Sequence, residues 1–238
     1  MNAVHIVHLY PQEMNIYGDN GNLLVLKKRL EWRGVRAVIH KVGVGDEIPD
    51  KVHIILGGGG QDKGQSLIAG DLARKAPRLK ELANAGVPML MICGMYQMFG
   101  HYFKTADGVN IPGIGLIDAY TEAGKGRLIG NISETTKQWG TLVGYENHSG
   151  RTYLGATAQS IGVTKKRQGN NGNDSQEGAV QNNVFGSYLH GPLLAKSPQF
   201  ADYLIGLALV ASGSEAILAE LDDSLEYTAS GVAQTRPR

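Results

Sequence analysis

A thiol, an imidazole and a run of four glycines are the groups in this chain that could together perform acyl-transfer chemistry. Cys93 is the only cysteine among 238 residues, and it ends the apolar run Val87-Pro88-Met89-Leu90-Met91-Ile92. Gly94 and a helix-like stretch follow it. A thiol at such a strand-to-helix elbow stands at a helix N-terminus, where free N–H groups and the dipole favour the thiolate. The bland alternative is a buried structural cysteine, the commoner fate of a lone thiol. A thiol nucleophile also needs a base, and there are seven histidines. His5, His8 and His53 lie in or beside apolar strands, where a structural imidazole is the default. His40 and His101 sit near element ends without an acidic or cysteine neighbour in a motif. His148, in the polar cluster Gly144-Tyr145-Glu146-Asn147-His148-Ser149-Gly150, and His190, in Tyr188-Leu189-His190-Gly191-Pro192, each end a strand. If strands run as their spacing implies, His190 emerges at the same sheet edge as Cys93.

Acyl transfer further requires donors for an oxyanion. The backbone N–H of Gly94, directly after the thiol, is one. The run Gly57-Gly58-Gly59-Gly60 offers another, because without side chains Gly59 or Gly60 lets backbone N–H groups approach a substrate. The competing reading, a phosphate-cradling loop, lacks both the Walker Gly-Lys-Ser/Thr ending and a GxGxxG pattern leading into a helix.

The elements that must position these groups alternate in the first half. Residues 4–9, 35–42, 52–56 and 87–92 read as strands; 23–32 and 66–85 read as helices, the second interrupted near Pro77. Strands separated by helices imply a parallel sheet, whose ligands gather at the carboxyl ends of the strands. In the second half, residues 116–120, 128–133, 141–146, 158–163 and 184–189 read as short strands without intervening helices, an antiparallel extension of that sheet. Residues 164–178 are polar and rich in Gly and Asn, which predicts a mobile hairpin tip. Residues 199–212 read as a closing helix. The fold class expected is α/β: one domain over 1–238, frayed from about 229.

A net charge of +1 argues against broad electrostatic binding to nucleic acid or anionic lipid. A single cysteine excludes an intramolecular disulfide framework and a thiolate-rich zinc site, and fits a reducing cytosol. Neither a signal-peptide layout nor a membrane-length apolar run is present, so a cytoplasmic protein is expected. No sequence feature calls for a cofactor or metal.

Cys93 at its elbow, the glycine turn and His190 in Tyr-Leu-His-Gly-Pro together resemble a class I glutamine amidotransferase domain with a flavodoxin-like, mostly parallel sheet and helices on both faces. Most such enzymes carry Glu two residues after the histidine. Pro192 stands there instead, as in the cobyric-acid-synthase-like branch. Within that branch, Tyr17-Gly18-Asp19-Asn20-Gly21-Asn22 and Gly144–His148 are similar to the glutaminase subunits of lipid II isoglutaminyl synthases. The resemblance spans residues 17 to about 194. It implies that Cys93 attacks the carboxamide of glutamine, that His190 moves the protons, and that Gly94 and Gly60 hold the oxyanion. It also matches Arg127, in Gly124-Lys125-Gly126-Arg127-Leu128, to the arginine that grips glutamine, a role a bidentate guanidinium suits. The implied partner is a Mur-ligase-like subunit of the MurT type, in a heterodimer. That partner would use ATP and the released ammonia to amidate the D-glutamate of membrane-anchored lipid II.

Two departures qualify this. Met95 stands where the family usually carries glycine, and must point away from the crevice or crowd it. The third member of the triad is unassigned: Glu146 is the nearest acidic candidate in a motif, with a strand-end hydrogen-bonding role as the plainer reading, and a partner could supply the carboxylate. The Tyr17–Asn22 segment reads first as a turn and helix cap, with a role in shaping the glutamine pocket or the partner face as the alternative. Two other functions stay open: a glutaminase for a cobyrinate-type amidation, for which a fused synthase domain would be expected that 238 residues do not accommodate, and a non-catalytic partner subunit.

Overall fold

Short apolar runs become strands here because both of their faces are covered. The computed structural model describes residues 3–236. Its first half alternates β1 (Ala3–Leu9), α1 (Asn20–Trp32), β2 (Arg36–Val42), β3 (Ile54–Gly57), α2 (Asp62–Asn84), β4 (Met89–Ile92) and the short α3 (Gly94–Phe99). Every residue of β3 and β4 is buried, as expected of central parallel strands. The second half holds β5 (Tyr102–Lys104), β6 (Asn110–Pro112), β7 (Ala119–Thr136), β8 (Thr141–Leu154), β9 (Gly162–Val163), β10 (Gln176–Glu177), β11 (Ala179–Gln181) and β12 (Val184–Ser187). A 3-10 turn (Leu193–Lys196), α4 (Pro198–Ala211) and α5 (Ser224–Thr235) follow.

One six-stranded sheet runs β11-β12-β4-β3-β1-β2, parallel except for β11. In it β4 lies between β3 and β12. The carboxyl ends of these three neighbours lead into the glycine turn, Cys93 and His190, and the register pairs Gly57 with Met91 and Ser187 with Ile92. This adjacency brings together groups separated by up to 133 positions in the chain, from Gly57 to His190.

Antiparallel extension of that sheet amounts to β11 alone. The other strands of the second half build a second sheet, in the order β10-β9-β7-β5-β6 with β8 paired to β7. Runs expected as separate short strands merge into the long β7–β8 hairpin, whose register shifts between Ala123 and Leu128. The polar segment 164–178 is no exposed tip. Asn170, Asn171 and Glu177 are buried, and Asn170 Nδ2 donates to the Gly178 carbonyl while Asn171 Nδ2 donates to that of Thr152. Asparagine amides here stand in for ladder partners. Helix α2 continues through Pro77, because Leu72 and Lys75 before it and Leu79 and Leu82 after it bury the same face. The chain past residue 229, expected to be frayed, is helical to Thr235, and residues 237 and 238 lie outside the described residues. Among the described residues no helix is long and apolar enough to cross a membrane.

Candidate active site

Cys93 turns the chain from β4 into α3 with φ +51 and ψ −103, a conformation L-residues rarely adopt. Such strain is on the order of 1–3 kcal/mol and persists where surrounding structure imposes it. Here Cys93 N donates to the Ser187 carbonyl at 2.8 Å, and Gln97 N donates to the Cys93 carbonyl at 3.0 Å. The sharp turn is the geometry of a nucleophile elbow. Helix α3 has only six residues, so it offers free N–H groups more than a sizeable dipole.

His190 is fully buried beside it. Backbone hydrogen bonds in both directions with Tyr145 fix its main chain, at 2.9 and 3.1 Å. Its Nδ1 donates to the carboxylate of Asp19, 2.9 Å from Oδ1 and 3.0 Å from Oδ2. Nε2 makes no hydrogen bond, and the Cys93 thiol acts on the imidazole electrostatically. Burial opposes a charged imidazole, but Cys93 and Asp19 outweigh it and push the His190 pKa up to about 10. A protonated His190 is the charge partner that a thiolate nucleophile requires.

Asp19 is the residue that sequence reasoning missed as a partner. Its motif was singled out, but as a turn and cap. The carboxylate also accepts from Gly59 N at 2.7 Å, so one side chain holds both the histidine and the glycine turn. Glu146 lies elsewhere: buried, it accepts from Gly169 N at 2.9 Å and faces His148 Nε2 at 3.4 Å. His148 stacks on Tyr188, ring centroids 3.6 Å apart, and its Nδ1 donates to the Gly150 carbonyl. Burial holds its pKa below the usual histidine range, against the pull of Glu146.

The glycine turn and the elbow touch. A Cβ on Gly94 would stand 2.8 Å from Gly60 N and 2.9 Å from Gly60 O, and a Cβ on Gly59 would stand 2.6 Å from His190 Cε1. This junction sets Gly60 N against the elbow glycine, where an acyl-transfer site places its oxyanion donors. Met95 does not crowd the crevice. It is buried on the sheet side, where Cβ and Cγ pack at Gly57, 3.1 and 2.9 Å from the point a Cβ there would occupy. Gly57 supplies the room that Met95 takes.

A cavity of about 310 Å³ has Cys93, Gly60, Gln97, Arg127, Asn147 and His148 among its walls. Arg127 reaches it from the register shift in β7, donating from Nε to Asn147 Oδ1 and from Nη2 to the Asn147 carbonyl, both at 2.8 Å. These two bonds use the Nε–Nη2 edge of the guanidinium, so the Nη1–Nη2 edge lies outside them. A larger cavity, about 660 Å³ and lined by Trp139, Gln159 and Gln176 among others, contains none of these residues. Volume alone would choose the larger; convergent polar groups around Cys93 favour the smaller, and His190 itself lines a third cavity of about 440 Å³. Among the described residues no cluster of three or more His, Cys, Asp or Glu side chains is placed to hold a metal ion.

Residues 5–198 match the family described as the CobB/CobQ-like glutamine amidotransferase domain. The chain is 36% identical over 233 residues, 98% of its length, to "Lipid II isoglutaminyl synthase (glutamine-hydrolyzing) subunit GatD" of Staphylococcus aureus, covering 95% of that relative. It is 39% identical over 210 residues, 87% of its length, to the protein of the same description from Streptococcus pneumoniae, covering 80% of it. A cobyric acid synthase of Photorhabdus laumondii is 35% identical over 60% of this chain, which spans only 30% of that relative. In fold, the chain superposes on a crystal structure of a glutamine amidotransferase with a TM-score of 0.59 at 17% identity, covering 85% of this chain and 98% of that one. The chain belongs to the CobB/CobQ-like glutamine amidotransferase family.

Proposed function

We propose that this chain hydrolyses glutamine to glutamate and ammonia through a Cys93 thioester and hands the ammonia to an ATP-dependent, Mur-ligase-like partner of the MurT type. That partner would amidate the D-glutamate of lipid II to D-isoglutamine. The observation that carries the reading is the Asp19–His190 bond, with its imidazole under the electrostatic influence of Cys93, and a cleft that has both Cys93 and Arg127 in its wall. Relatives covered over 95% and 80% of their length, named as subunits of lipid II isoglutaminyl synthase, support the choice of acceptor.

The geometry supports the following steps. Arg127 takes the α-carboxylate of glutamine, and the side-chain amide lies over Cys93. The sulfur adds to the amide carbon while the Gly60 and Gly94 N–H groups hold the oxyanion. The imidazolium of His190 gives its Nε2 proton to the departing nitrogen, and ammonia leaves a thioester. His190, now neutral, takes a proton from water as its oxygen attacks the thioester carbon; glutamate departs and the Cys93–His190 pair is restored. Asp19 keeps the Nδ1 proton in place throughout.

Glutamate release by wild type and Cys93→Ala, alone and with the candidate partner, tests the reading. Loss of essentially all release in Cys93→Ala is expected, as when a nucleophile is removed. Equal activity in the two would refute it. ATP-dependent amidation of lipid II in the mixture, from glutamine but not with Cys93→Ala, tests the acceptor.

A further inference from the structure

A chain of contacts leads from Arg127, in the wall of the cleft, to His190, and no step above uses it. Beyond its two bonds to Arg127, Asn147 donates from Nδ2 to the Tyr17 hydroxyl at 2.7 Å. The Tyr17 ring in turn meets the His190 imidazole edge-on, centroids 4.8 Å apart and planes 63° apart. Tyr17 is 43% exposed and has φ +56, followed by Gly18 at φ +76. A bulky residue keeps such a conformation only where its surroundings impose it. The hydroxyl bond to Asn147 on one side and Asp19, two residues on, clamped to His190 and Gly59 on the other are what impose it here.

We infer that Tyr17 and Asn147 are positioning residues that tie the grip on the α-carboxylate of glutamine to the aim of the His190 imidazole; this rests on the glutaminase reading. Asn147 orients the Arg127 fork so that its Nη1–Nη2 edge faces the cleft. It uses the same amide to fix Tyr17. The Tyr17 ring is a wall against the imidazole and limits its rotation about the bond to Asp19. Loosening the amide loosens both ends, whereas removing only the hydroxyl spares the wall.

Steady-state glutaminase kinetics on the full chain, alone and with the candidate partner, separate these effects. Tyr17→Phe is expected to raise KM for glutamine about three- to tenfold with kcat held within about twofold, the effect of one lost hydrogen bond between neutral groups. Tyr17→Leu, which removes the aromatic wall as well, should in addition lower kcat by about tenfold, the scale of an aromatic edge contact. Asn147→Ala should raise KM at least as much as Tyr17→Phe. The double variant Tyr17→Phe/Asn147→Ala should be no worse than Asn147→Ala alone, since both cut one link. Melting temperatures guard against misfolding, and recovery of kcat from Leu to Phe is a result that a merely structural role would not give. Additive effects of Tyr17→Phe and Asn147→Ala, or unchanged KM in both, would overturn the coupling while leaving the glutaminase reading intact. A wild type with no Cys93-dependent glutamate release under either condition would overturn both.

Discussion

Asp19 occupies the N-cap position of α1, yet its side chain caps nothing. An Asp there normally accepts from a free N–H of the first turn; here the carboxylate is turned to His190 and Gly59 instead. That is why the residue was legible as important but not in its role. A Tyr-Gly-Asp-Asn motif carries the same types whether it caps or catalyses, and the partner is 171 positions away. Cys93 was legible because an apolar strand ending at a thiol and a glycine leaves few other readings. Replacing Asp19 by Asn keeps the shape and removes the charge, so kcat/KM for glutamine should fall on the order of a hundredfold or more, by analogy with other orienting carboxylates. Glu146→Gln should cost far less, because Glu146 does not touch His190. The pH dependence has a definite sign. The folded-state pKa of His190 is raised to about 10, so its stabilising contribution is complete below about 6.5, its ordinary value, and is lost as pH rises through about 10. Urea unfolding from pH 6 to 10 should therefore show the advantage of wild type over Asp19→Asn shrinking as pH rises.

The site depends on how closely two elements approach: the turn after β3 and the elbow between β4 and α3. Gly94→Ala would drive a methyl into the backbone of Gly60, at 2.8–2.9 Å. Backbone cannot swing aside as a side-chain tip can, so the turn or the elbow must shift. Glutamate release should drop by roughly a hundredfold or more, the scale of losing an oxyanion donor, and stability by about 1–3 kcal/mol, as for overpacking. Gly70→Ala in α2 is the matched control. A Cβ there meets nothing within 4 Å, and the same change should stabilise by about 0.5–1 kcal/mol; denaturant midpoints and activity together report both signs. At this scale the alternating first half could be read directly, since each strand is apolar and each helix has one buried stripe. The second half could not. The β7–β8 hairpin contains Gly124-Lys125-Gly126 at its register shift, which reads as a break between strands although it is a bulge within one. Residues 164–178 read as solvent-facing because polar composition does not reveal that Asn170 and Asn171 are buried with their amides paired.

At the scale of the molecule, a buried ion cluster fastens the C-terminal helix to the body that holds the site. Arg29 of α1 is 2% exposed. It grips Asp202 of α4 through Nε and Nη2, both at 2.7 Å, and Asp223 through Nη1 at 2.6 Å. Asp223 is the N-cap residue of α5, and Arg33 adds a second hold on Asp202. Helix α5 packs against β8, the strand whose Tyr145 backbone pairs with His190. Buried pairs of this kind add little net stability over an apolar replacement, but removing one partner leaves a charge without compensation. Arg29→Met leaves Asp223 without its cation while Arg33 still holds Asp202, and should cost about 3 kcal/mol in unfolding free energy, the lower end for a broken buried pair. Asp223→Ala leaves Arg29 paired to Asp202, so the body stays folded while α5 loses its anchor. Limited proteolysis should then trim Asp223→Ala from the C-terminus much faster than wild type at nearly unchanged urea midpoint. If α5 helps hold β8 against the His190 strand, the trimmed protein should also turn over glutamine more slowly. Equal trimming rates for both proteins would show that α5 is held by its packing on β8 and not by the ion cluster.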